Sequence, residues 1–226
     1  EEAFHKTTLS ALIGYLVLLI GMVSSATLVH GFAGYLGVFV VAPAWVMMVG
    51  TVICMGLIAA WGVKESLTLA AIMTSVEVLG LLMVIWVGGA SFLENGLPQG
   101  GSSALGQFPS WAGIIGGAFI AFYAYVGFED MVNVAEEVKD PAKTLPRAIL
   151  LALAVTTLFY LVVSLVAVAV LTPDELTGSK APLALLYQKA TGNSPVVITL
   201  IGLFAVINGA LIQVIMASRV LYGMGN

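Results

Sequence analysis

Six apolar stretches, each long enough to cross a hydrocarbon layer, leave this 226-residue chain few ways to fold. They are residues 9–29, 41–61, 67–89, 111–138 with an interruption, 146–171 and 196–222. A spanning helix needs roughly 20 apolar residues at about 1.5 Å rise each. The sequence is 60% hydrophobic and 9% charged, against about half and a quarter in soluble domains. That much apolar surface cannot be hidden inside a soluble body of this size, whereas a bilayer accepts it. Inside a bilayer the backbone must satisfy its own polar groups, and short loops between full-length apolar runs favour helices. The expected fold is all-α, a polytopic membrane helix bundle forming a single transmembrane domain over residues 1–226.

Glu1 to Lys6 lead into a full-length apolar run with no cleavage site, so no removable signal peptide is expected. A single cysteine, Cys54, allows no intramolecular disulfide. The net charge of −4 says little about partners; no nucleic-acid partner is expected, and the lipid bilayer is the partner that composition requires. The two longer loops, Ser91 to Ser110 and Thr172 to Ser194, are rich in Gly, Pro and Asn. Within the second, Ala181 to Ala190 has the composition of a short surface helix. With the amino end inside, the inner segments hold Lys6, Lys64, Lys139, Lys143, Arg147 and Arg219, and the outer loops only Lys180 and Lys189. This asymmetry places the amino end and residues 139–147 in the cytoplasm and the longer loops outside.

The fourth span is the informative one. Trp111 to Phe128 is apolar, Glu129-Asp130 interrupt it, and Met131 to Ala135 resume. A continuous helix would carry two carboxylates into hydrocarbon, at about 2.5–3.5 kcal/mol each on the lenient insertion scale. Two arrangements avoid that cost. The helix can break near Tyr125-Val126-Gly127 and restart with Glu129 or Asp130 as cap, lining a cavity, or it can end at Phe128 with both acids at the interface. In the first case the break is a substrate site bracketed by Tyr123 and Tyr125, with Gly127, Phe128 and Glu129 in the turn. Gly113, Gly117 and Ala121 recur at four-residue spacing and suit close helix packing.

Polar groups elsewhere in the spans add candidates. Ser24, Ser25, Asn208 and Gln213 either face a cavity or hydrogen-bond between helices, and Ser25 and Asn208 join the substrate-site set. Glu77 lies mid-span, the costliest position for a charge, as either a proton-coupling group or a hydrogen-bonded packing residue. No His-Glu-x-x-His or Gly-x-Ser-x-Gly pattern occurs, so neither catalytic residues nor a metal or other cofactor are expected. A channel or a structural subunit of a membrane complex is the rival reading, but no filter loop or charged ring is legible.

Residues 127–149, Gly-Phe-Glu-Asp-Met-Val-Asn-Val-Ala-Glu-Glu-Val-Lys-Asp-Pro-Ala-Lys-Thr-Leu-Pro-Arg-Ala-Ile, resemble the sixth-helix signature of the amino acid–polyamine–organocation family of permeases. Lys64-Glu65-Ser66 resembles that family's entry to helix five, and Ala217 to Met224 the end of its helix eight. The resemblance implies a chain covering helices three to eight of an inverted-repeat fold like that of the leucine transporter. In that fold the unwound parts of helices one and six hold the substrate. It further implies secondary transport of an amino acid or related amine by alternating access, with a proton or an exchanged amino acid as coupling species, in the plasma (inner) membrane. On that register Tyr123 is an aromatic gate, Gly127 the break, and Glu129 an acid linked to pH response and the other proton-coupling candidate beside Glu77, which stands on its mid-span position alone. No lysine occupies the fifth-helix span, where some relatives carry one. Leu12-Ile13-Gly14 with Gly21 is echoed at the same offset by Leu200-Ile201-Gly202 with Gly209. The family's glycine-rich first helix is not in the sequence, so a fragment of a longer protein is expected, one that transports nothing by itself.

The topology predicts that single cysteines at Ser102 and Lys143, in a background lacking Cys54, react with impermeant maleimide from opposite sides of the membrane. Reaction of both from the same side would sink it.

Overall fold

A computed structural model describes residues 7–37, 39–61, 63–96, 110–128, 131–132, 135, 138–179 and 181–225. Among these the regular elements are α1 (Thr7–Leu36), α2 (Ala44–Trp61), α3 (Val63–Asn95), α4 (Trp111–Tyr123), α5 (Pro141–Val170), α6 (Pro173–Gly178), α7 (Pro182–Thr191) and α8 (Val196–Gly225). No strand occurs among the described residues. Four helices, α1, α3, α5 and α8, are long and apolar enough to cross a membrane. Helices α2, at 18 residues, and α4, at 13, are shorter. Trp86, Phe119 and Leu165 are 78%, 80% and 66% exposed. Large apolar side chains presented outward in this way need lipid or further protein around them.

Several boundaries differ from the sequence expectation, each for a local reason. The loop expected from Ser91 begins later, because α3 runs on to Asn95 and stops at Gly96, whose φ of +68° is the left-handed C-terminal conformation. The Gly96 N–H donates to the Phe92 carbonyl at 2.9 Å. Helix α5 starts at Pro141 rather than at 146, since a proline at the first helical position gives up a donor that has no partner anyway. Pro146 therefore lies inside the helix. In the second loop Pro182–Thr191 is helical, and a further turn, α6, precedes it. Thr172 caps α6: its Oγ1 accepts from the Glu175 N–H, and the Glu175 carboxylate accepts from the Thr172 N–H at 2.7 Å. Lys189 on α7 donates to both Glu175 oxygens, at 2.9 and 2.6 Å.

The chain forms two compact units, one of Glu1–Leu79 with Thr199–Asn226 and one of Gly80–Ile198. In the first, α1 and α8 pack antiparallel along a glycine seam. A Cβ at Gly14 would meet Met224, one at Gly21 would lie 3.2 Å from that of Ala217, one at Gly209 3.3 Å from Leu28, and one at Gly202 3.0 Å from Tyr35. The four glycines of the sequence echo are thus the residues that let the two helices approach. Each helix supplies two glycines and receives side chains from the other, so the seam is self-complementary. In the second unit Gly88 on α3 faces Val166 and Val170 of α5 and Leu186 of α7. Leu186 is fully buried there.

Gly88→Ala is expected to destabilise by about 1–3 kcal/mol through overpacking. Gly89→Ala, where a Cβ meets nothing within 4 Å, should stay within about 0.5 kcal/mol; thermal unfolding in detergent compares the two. For α6, the capping bonds and Lys189 hold the Glu175 carboxyl well down, from 4.5 to about 2. A depressed carboxyl stabilises the fold above its unfolded value, so the α6–α7 clasp is fully formed above pH 4.5 and is lost as pH falls through about 2. Amide exchange over 173–191 should rise in that window in the wild type and lose its pH dependence in Glu175→Gln.

Candidate functional site

Helix α4 begins at Ser110, whose side chain accepts from the Gly113 N–H at 3.1 Å. It ends at Tyr123, two residues before the expected break. Beyond it the N–H groups of Ala124, Tyr125 and Val126 donate to the carbonyls of Ala121, Phe122 and Tyr123 at 3.0, 3.0 and 3.1 Å. The helix therefore tightens from i→i−4 to i→i−3 bonding before it turns at Gly127. There φ is +115°, a conformation that a side chain opposes. Phe128, Met131, Val132 and Ala135 lie in 3₁₀ turns, and Val138 N–H reaches the Ala135 carbonyl at 3.2 Å. Glu129 and Asp130 lie outside the described residues.

The tightened turn is anchored by α5. The Tyr160 hydroxyl donates to the Ala124 carbonyl at 2.7 Å, and the Tyr125 hydroxyl to Thr157 Oγ1 at 3.1 Å. The rings of Tyr125 and Tyr160 meet edge to face, with centroids 5.3 Å apart, and Phe128 lies 6.1 Å from Tyr125. Every carbonyl from Ala121 to Ala124 is consequently engaged. Beside the turn is a cavity of about 490 Å³, walled by Leu81, Ala121, Ala124, Tyr125, Tyr160 and Ser164 among others. Among the described residues its walls carry no charged side chain, and those residues suit an apolar group. Tyr123 is exposed and, among the described residues, makes none of these contacts.

A second cluster lies in the unit that holds α1 and α8. Asn208, 3% exposed, donates from Nδ2 to Thr74 Oγ1 at 2.9 Å and to Glu77 Oε1 at 2.7 Å. Its Oδ1 is buried and has no partner among the described residues. Ser24 and Ser25 are buried on α1. The predicted residues thus divide into two groups: Tyr125, Gly127 and Phe128 beside α5, and Glu77 with Asn208 between α3 and α8.

A family model described as amino acid permease matches residues 1–226. The chain belongs to that family. Among the permease's relatives, a vacuolar cationic amino acid transporter 4 of Arabidopsis thaliana is 36% identical over 139 residues, covering 59% of this chain and 22% of the relative. A branched-chain amino acid permease, BcaP, of Bacillus subtilis is 30% identical over 136 residues, covering 58% and 27%. A chloroplastic cationic amino acid transporter 9 of Arabidopsis thaliana is 32% identical over 151 residues, covering 67% and 24%. The matched stretch is about a quarter of each relative's length.

Three hydrogen-bond partners of the candidate residues and their turn were not singled out from the sequence: Thr74, Thr157 and Tyr160. The signal was present for the last two, since Thr157, Tyr160 and Ser164 stand three and four residues apart, on one face of an otherwise apolar helix. Thr74 precedes Glu77 by the same three-residue step. Tyr160→Phe leaves the Ala124 carbonyl without its donor and is expected to cost about 1–2 kcal/mol. It should also speed amide exchange at 124–128, whereas unchanged exchange there would show that the hydroxyl does not hold the turn.

Proposed function

We propose that this chain forms part of the translocation bundle of a secondary amino acid transporter that works by alternating access. The substrate sits at the non-helical step that follows α4. The observation that carries this reading is the end of α4 at Tyr123, after 13 residues or roughly 20 Å of helix, where a hydrocarbon core is about 30 Å thick. Backbone that leaves the helix at membrane depth is tolerated where it lines a cavity, and a cavity adjoins this turn. Tyr125 and Phe128 flank the substrate, Gly127 permits the turn, and Glu129 follows it directly. The names of the relatives, cationic and branched-chain amino acid transporters, support an amino acid or related amine as substrate.

The glycine-matched packing of α1 and α8 supports the inverted-repeat reading, in which the two helices are counterparts. The charge count supports an inward amino end and a cytoplasmic 139–147 segment, in the plasma membrane. Coupling falls to Glu129 or Glu77, acids within spans that trade a proton or respond to an exchanged amino acid. The full-length protein, reconstituted in liposomes, should show saturable uptake of at least one standard amino acid that varies with pH. Glu129→Gln or Glu77→Gln should flatten that variation. Non-saturating ion conductance without amino acid uptake would replace the transporter reading with a channel. Wild-type pH profiles in both Gln variants would make the two acids structural.

A further inference from the structure

We infer that Asn208 is the positioning residue through which the charge of Glu77 acts on α8. The inference rests on the part of the proposed function in which Glu77 titrates, and it names the group that transmits the change. The Asn208 amide nitrogen spends its two hydrogens on α3, one on Thr74 Oγ1 and one on Glu77 Oε1. These bonds tie α8 to α3 at a point where the next residue, Gly209, lies against Leu28 of α1. On the α1 side the contact is glycine against side chain, with nothing directional in it. On the α3 side it is two directional bonds, one of them to a carboxyl oxygen.

A hydrogen bond to a carboxylate is roughly twice as strong as one between neutral groups. Protonating Glu77 therefore weakens one of the two ties while the Thr74 tie and the glycine contact stay as they were. The Asn208 Oδ1, buried and without a partner among the described residues, is an acceptor for the hydroxyl of a protonated Glu77, so protonation replaces the charge-assisted tie by a neutral pair in which each group donates once. Loss of the proton re-forms the charge-assisted bond and removes the one that Glu77 donated. The amide is thus placed to read one titration and report it to one helix.

A hydrogen bond to the Glu77 carboxylate comes from Asn208, which does not titrate. On the packed elements the titratable side chains are Tyr15, His30 and Tyr35 of α1, Cys54 of α2, Lys64, Glu65 and Glu94 of α3 itself, and Arg219 and Tyr222 of α8. Arg219 lies eleven positions beyond Asn208 and Glu94 seventeen beyond Glu77.

The test is the thermal stability of the full-length protein in lipid nanodiscs across pH, for wild type, Glu77→Gln, Asn208→Ala and the double variant. The component of the pH profile lost in Glu77→Gln should be lost equally in Asn208→Ala, and the double variant should lose no more of it. A uniform drop in stability for Asn208→Ala that keeps the Glu77-dependent component would overturn the inference and leave the transport reading standing. A wild-type profile in Glu77→Gln would overturn both the inference and the coupling role of Glu77. If Asn208→Ala does not fold, Asn208→Ser, polar but too short to bridge to α3, takes its place. As a second readout, the protonated-carboxyl infrared band assigned to Glu77 should shift in the Asn208 variant. An unmoved band would likewise overturn the inference.

Discussion

A backbone N–H or carbonyl left unpaired in hydrocarbon costs several kcal/mol, and the way this molecule leaves the α4 helix follows from that cost. Three i→i−3 bonds replace the lost i→i−4 bonds, and the carbonyl of Ala124, the next in line, receives the hydroxyl of Tyr160 from a neighbouring helix. The turn at Gly127 comes only after those groups are paired. A break made in this way is stiff on the α4 side, where it is fastened to α5.

Packing in the α1–α8 unit answers a different constraint. Lipid offers apolar helices nearly the same environment as each other, so association depends on close approach and on directional bonds. Glycines at 14, 21, 202 and 209 supply the approach; Asn208, Thr74 and Glu77 supply the direction. Asn208 is the residue next to Gly209 of the seam, so at this level α8 meets α1 through a glycine contact and α3 through two hydrogen bonds.

Much of this was legible in the residues. The apolar runs announced the helices and the Gly127-Phe128-Glu129-Asp130 interruption announced that the fourth span does not run through, whereas the glycines of the internal echo were legible only as a repeat and not as a helix seam. Thr172-Pro173-Asp174-Glu175 carried a capping box for α6 that was available but unused. Helix ends were less legible: Ser91 to Glu94 suit helix as well as loop, and only the Asn95-Gly96 stop decides between them. The start of α5 likewise hinged on which of two prolines takes the first position.

Sequence alone determined the solvent, the element type and the family, because each is written in local composition or in a contiguous motif that needs no knowledge of neighbours. It also supplied a set of polar candidates without saying how they combine. Tertiary structure decided the combinations. Glu77 and Asn208 are 131 positions apart and Tyr160 and Ala124 are 36 apart, and nothing in either local sequence specifies the partner. Hydrogen bonds of that kind follow from which faces of two helices meet, and that is settled only when apolar faces, glycine contacts and chain connections are satisfied together.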